Sequence, residues 1–413
     1  MHPSDAAGLF QLPEGLHYLN CAYMAPLARP VEEAVIRGLR RKRVPSEIGA
    51  SDFFETSDRA RDRFARLVGA DDPRRVALMP SVSYGVATAA RNLPLAEGQR
   101  VVVLGEQFPG NVYAWRRRVA EVDAELVTVA RPESADGAVA WNASLLEAID
   151  STTAIVAVPT VHWTDGTPFD LVAVGRRCRE VGAALVVDGT QSIGAVPFSV
   201  AEVRPDAVLT AAYKWLLGPY SVAFGWFGPR FNDGVPLEEG WIARAGSEDF
   251  GGLVDYVDDY QPGAVRYDVG ERSNFALMPG AVAALELVLD LSPEAISAAI
   301  AGLSAPLFEA AAEAGFQVQA PAWRSPHMFG LRLPGGRSPA ELRDRLAAAS
   351  ISVSTRGSSL RISPHVYNDE GDIEALVRVL SGAGRGGSSK RISATSPSPM
   401  PRSSNHPRRT SSA

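Results

Sequence analysis

Cysteine is almost absent from this chain, with Cys21 and Cys178 the only two in 413 residues. Two thiols make no disulfide framework, and neither stands in a Cys/His pattern with metal-ligand spacing, so no structural metal is expected. A run of 18 apolar residues is missing too, and Met1-His2-Pro3-Ser4-Asp5 lacks the basic segment and apolar core of a secretory leader. The expectation is a cytoplasmic protein with no membrane partner. Positive charge is in deficit: 41 Lys and Arg face 47 Asp and Glu, for a net charge of −6, and the basic residues are scattered among acids. That argues against nucleic acid as a partner.

What the chain does have is a globular composition, 46% hydrophobic and 21% charged, and length for one large and one smaller domain. Short apolar runs recur at 75–79, 101–104, 126–129, 154–158, 184–187, 207–209 and 222–226, with helical or mixed segments between most of them. This alternation predicts an α/β fold with a largely parallel sheet and helices on both faces. The expected organisation is an N-terminal segment (1–20), a large domain (21–280), a smaller C-terminal domain (281–380) and a tail (381–413). The tail is rich in Ser, Pro and Gly, carries six basic residues and no acid, and is expected to be disordered.

The conspicuous residues follow the apolar runs, at the sheet edge where open α/β sheets bind ligands. They include Phe108-Pro109-Gly110, His162-Trp163-Thr164-Asp165, Asp188-Gly189-Thr190-Gln191 and Tyr213-Lys214. A lysine ending an apolar strand is costly, and apolar surroundings push its amine toward the neutral, nucleophilic form. Lys214 therefore suits Schiff-base chemistry, and Asp188 suits the carboxylate that keeps a pyridine nitrogen protonated, the pair that pyridoxal 5'-phosphate requires. The alternative is an aspartate capping a helix and a lysine snorkelling to the surface. Ser81-Val82-Ser83-Tyr84-Gly85 opens an Ala-rich helix and reads either as a phosphate cradle or as a plain serine cap.

Together these phrases resemble the class V aminotransferase family of pyridoxal-phosphate enzymes, which includes cysteine desulfurases, isopenicillin N epimerase and kynureninase. The resemblance spans about 18–380. It implies the PLP-dependent transferase fold type I, with a mostly parallel large domain and a smaller C-terminal α+β domain. It also implies pyridoxal 5'-phosphate held on Lys214, which is the catalytic base or acid at Cα. Asp188 and Gln191 are then directed at the ring, Phe108 stacks on it, Trp163 lies near the ring hydroxyl, and Val82, Ser83 and Tyr213 reach the phosphate. Arg361, in Leu360-Arg361-Ile362-Ser363-Pro364-His365-Val366-Tyr367-Asn368, is similar to the arginine that clamps the substrate's α-carboxylate. A homodimer is implied as well, with 270–274 the candidate crossing loop and Arg272 or Ser273 directed at the neighbour's phosphate.

One departure bears on activity. Desulfurases carry a nucleophilic cysteine just before the clamping arginine, and Ser354-Thr355-Arg356-Gly357-Ser358-Ser359 has none. The expected reaction is amino-group transfer on a small L-α-amino acid. Carbon–sulfur or carbon–carbon cleavage, racemisation, and a non-catalytic cofactor-binding protein are the alternatives.

Overall fold

The computed structural model describes residues 1–132, 137–335, 338–357 and 359–382. From 383 onward the expected tail lies outside the described residues.

Seven strands form the central sheet: β1 (Val76–Met79), β2 (Arg100–Leu104), β3 (Glu125–Val129), β4 (Thr153–Pro159), β5 (Ala184–Asp188), β6 (Ala207–Ala211) and β7 (Ala223–Phe227). Their spatial order is β1-β7-β6-β5-β4-β2-β3. Strands β2 to β6 pair in parallel, while β7 runs antiparallel to both β6 and β1. The carboxyl ends of β1 and of β2 to β6 therefore share one edge with the start of β7.

Alternation along the strands splits the core in two, as a period of two requires. Val102, Val156, Leu185, Val187 and Val208 face a layer containing helices Glu55–Leu67, Leu171–Val181 and Leu277–Leu291. Val101, Val103, Ile155, Val186 and Leu209 face helices Val82–Asn92 and Tyr113–Val122. Each fully buried aliphatic side chain contributes about 1.5–3 kcal/mol, and coverage on both faces explains why these strands read as continuous apolar runs.

Helix Leu277–Leu291, which overlaps the start of the expected smaller domain, packs with helices Arg29–Arg41 and Glu55–Leu67 in the main core. A second core gathers Leu307, Phe329, Leu331, Leu342, Leu360, Ile362 and Leu376 around a four-stranded antiparallel sheet. That sheet has the order Ser354–Arg356, Ser359–Ile362, Phe329–Arg332, Gln317–Val318. Strand His17–Tyr18 joins this part of the molecule by pairing in parallel with Ile351–Ser352. Helix Pro293–Glu313 is long and apolar enough to cross a membrane by length and composition. It nevertheless carries Glu294, Glu309, Glu313 and Pro306, and Ile300 and Leu307 on its buried face help it pack against the C-terminal helix Glu370–Leu380.

Candidate active site

Asp188 closes β5, and its position follows from the strand: four buried apolar residues carry the backbone to the sheet edge and leave the carboxylate there, 8% exposed. Its Oδ1 accepts from the Thr190 amide at 3.0 Å. Burial raises the Asp188 pKa, and the Thr190 hydrogen bonds and the Lys214 charge oppose that rise. Lys214 follows β6 after a short turn and is 6% exposed. Its Nζ lies 5.6 Å from the Phe108 ring centroid and 5.4 Å from that of Tyr213. Burial, reinforced by the positive charge of Arg361, pushes the Lys214 ammonium down to about 8.

Both residues line a cavity of about 370 Å³, together with Val82, Ser83, Phe108, Trp163, Gln191 and Tyr213. That volume suits a small ligand or cofactor. Ser81 caps helix Val82–Asn92 by accepting from the Tyr84 amide, and its hydroxyl lies 3.0 Å from that of Ser83. The Val82 and Ser83 amides fall in the first turn, where no helical carbonyl can accept from them, and both residues line the cavity.

Not every expected role survives the hydrogen bonding. The Trp163 indole N–H donates to the Glu106 carbonyl at 2.7 Å, so Trp163 serves as a wall, edge-on to Phe108 at 5.5 Å, rather than as a donor to a ring oxygen. Gln191 accepts from the Trp215 indole and donates one amide hydrogen to the Ala22 carbonyl, which leaves its second hydrogen for a ligand. His162 turns away from the cavity into a cluster with Thr164 and Arg131; burial pushes its pKa down to about 4. Arg272 and Ser273 correct an expectation, because neither is free to reach a neighbouring molecule. Arg272 is buried and ion-paired with Asp268, and the Ser273 hydroxyl donates to the Phe53 carbonyl at 2.7 Å.

Arg361 stands behind the cavity wall, 1% exposed, donating to the Trp163 carbonyl at 2.7 Å and to the Ser354 hydroxyl at 3.3 Å. Its Nε–H has no acceptor among the described residues. Sequence reasoning missed Thr190, the partner of Asp188, and Tyr220, whose ring lies 4.6 Å from that of Tyr213. It also missed His327, which lies against the Gln191 carbonyl and the Trp215 ring. A lone threonine, tyrosine or histidine in a loop carries no periodic signal. The serine before an Ala-rich helix did.

A lysine and a carboxylate at one edge of a mixed seven-stranded sheet, beside an open helix N-terminus, define the fold type I class of α/β enzymes. The family description Aminotransferase class-V matches residues 47–228 of the chain. It is 28% identical over 360 residues to the uncharacterized aminotransferase YcbU of Bacillus subtilis, covering 87% of this chain and 91% of that one. Isopenicillin N epimerase of Streptomyces clavuligerus is 25% identical over 397 residues, with 91% and 97% covered. In fold the chain is similar to a cysteine desulfurase of Thermococcus onnurineus NA1, with a TM-score of 0.77, 18% identity, and 93% and 98% of the two chains covered. It is likewise similar to the cystine C–S lyase C-DES, with a TM-score of 0.78, 18% identity, and 89% and 98% covered.

Proposed function

We propose that this chain holds pyridoxal 5'-phosphate on Lys214 and transfers the amino group of a small L-α-amino acid to a keto acid. The observation that carries the reading is the Lys214 amine, buried between two aromatic rings in the same cavity as a buried carboxylate.

The donor set fits the cofactor. The Val82 and Ser83 amides and the Ser83 hydroxyl suit a phosphate, Asp188 suits a protonated ring nitrogen, and the Phe108 ring offers a face to stack on. When bound, the cofactor supplies an electron sink for the charge left at Cα. Asp188, poor in solvent, keeps a proton on the ring nitrogen through a charge-assisted hydrogen bond. Lys214, whose ammonium is already easy to deprotonate, takes the Cα proton and returns it elsewhere. Phe108 and Trp163 wall one side of that proton's path. Arg361, behind the Trp163 wall with its Nε–H unspent, is the guanidinium that a substrate carboxylate would meet once it displaces the Trp163 and Ser354 contacts.

Transfer is favoured by the similarity to YcbU over most of both chains. Cleavage of a side-chain bond is the second reading. It is favoured by the Phe108–Trp163 aromatic wall and by 28% identity over 274 residues to a kynureninase of Pseudomonas fluorescens. Persulfide formation on a cysteine in the 354–359 stretch is excluded, since the sequence has none there.

Borohydride reduction of the loaded protein, followed by peptide mass spectrometry, should place the cofactor on Lys214. Lys214→Ala should lose that adduct and at least about a thousandfold in turnover, since proton transfer and covalent attachment go together. A variant turning over at the wild-type rate would sink the assignment. Appearance of the amino acid corresponding to an added keto acid marks transfer, while release of ammonia marks cleavage.

A further inference from the structure

Besides Arg361, the fully buried arginines among the described residues are Arg61 and Arg272, and both have a carboxylate partner. Arg61 and Arg272 share Asp268, and Arg131 holds Asp165. Arg356 and Arg361 differ in that no carboxylate pairs with either among the described residues; like Arg272, each also has a buried Nε–H without an acceptor. Arg361 is buried and Arg356 half-buried; a buried charge left unpaired is expensive, so a guanidinium pair with no acid beside it favours an anion.

The hairpin explains how they come together. Ser354–Arg356 pairs antiparallel with Ser359–Ile362, in the register Ser354↔Arg361 and Arg356↔Ser359. Side-chain alternation puts Arg356 and Arg361 on the same face as diagonal neighbours, about 7–8 Å apart. Both hold the residue that walls the Lys214 cavity: Arg361 donates to the Trp163 carbonyl, and the Arg356 guanidinium lies 5.2 Å from the Trp163 ring centroid. Arg356 also lines an adjoining cleft of about 620 Å³ with Asn20, Tyr23 and Arg343, and no acid lines that cleft among the described residues. The positive field reaches the reacting amine, since both arginines push Lys214 toward its neutral form. In a chain of net charge −6 this is a local reversal of sign.

We infer that the substrate carries two acid groups, being an L-α-amino acid whose side chain ends in a carboxylate, with the α-carboxylate on Arg361 and the distal carboxylate on Arg356. The inference rests on the reading of Lys214 and Arg361 given above and names the substrate class for it. A monoacid leaves one guanidinium without a counterion. A diacid pairs both and removes their mutual repulsion.

The test is calorimetric titration of the cofactor-loaded protein with glutarate and with valerate, a diacid and a monoacid of equal carbon count. Glutarate should bind at least about tenfold more tightly, the worth of one charge-assisted contact. Arg356→Gln should bring the two ligands to within about twofold of each other by weakening glutarate, and Arg356→Lys should keep part of the preference. Arg361→Gln should weaken both ligands. No preference in the wild type, a preference that survives Arg356→Gln, or equal weakening of both ligands by that substitution would each overturn the inference. Thermal melting of each variant separates lost binding from lost folding. The borohydride adduct on Lys214 reports separately on the underlying reading: its absence rejects the cofactor assignment, whereas an intact adduct without diacid preference rejects only the arginine pair.

Discussion

At Lys214 burial and the charge of Arg361 act in the same direction, and Asp188 opposes them without prevailing. With the ammonium at about 8, roughly one molecule in ten carries a neutral amine at pH 7, several hundredfold more than an ordinary lysine would provide. Only the neutral amine captures an aldehyde. Capture of pyridoxal phosphate by cofactor-free protein should therefore speed up about tenfold per pH unit below 8 and level off above it, as followed by visible absorbance. Arg356→Gln removes a charge that favours the neutral form, so its midpoint should lie higher. A rate that keeps rising to pH 10 would mean that the amine is solvated.

Between elements, the loops after β5 and β6 hold Asp188 and Lys214 in register. Gly194 has φ of 106°, and a Cβ there would lie 2.3 Å from the Trp215 carbonyl oxygen. Trp215 is itself anchored to the Gln191 side chain. Gly194→Ala must push the two loops apart, at a cost of about 1–3 kcal/mol. The melting temperature should fall by several degrees and cofactor capture should slow by more than about tenfold; a variant with unaltered melting and capture would show that the contact is slack. The strands themselves were legible in the sequence because β4, β5 and β6 are apolar on both faces, β5 ends on Asp188, and β6 ends just before the turn that carries Lys214. Asp188, Lys214, Phe108 and Ser83 do line one cavity. The inward turn of Arg272 and the commitment of the Trp163 N–H were not legible. Each depends on a partner far along the chain, Asp268 excepted, and in that case the pairing is set by the packing of a connector against β1, where Asp268 also accepts from the Leu78 amide.

For the molecule as a whole, large apolar side chains remain in the open, among them Tyr23, Leu27, Leu39, Trp241, Val254 and Tyr256. Contiguous apolar surface marks interaction faces, and we propose that two copies associate through part of these exposed side chains. Light scattering should return about twice the 44.0 kDa chain mass, and a fully active species of single mass would reject the proposal. The parallel pairing of His17–Tyr18 with Ile351–Ser352 has a consequence in time. Asn20 accepts from the hydroxyl of Ser354, 334 residues later, and the Cys21 and Ala22 that follow lie against the Lys214 and Gln191 loops. At about 5–20 residues per second a ribosome needs roughly 20–70 s to cover that interval. Throughout it the earliest part of the nascent chain waits without its partner strand, so these contacts close only after the Ile351–Ser354 stretch has been made.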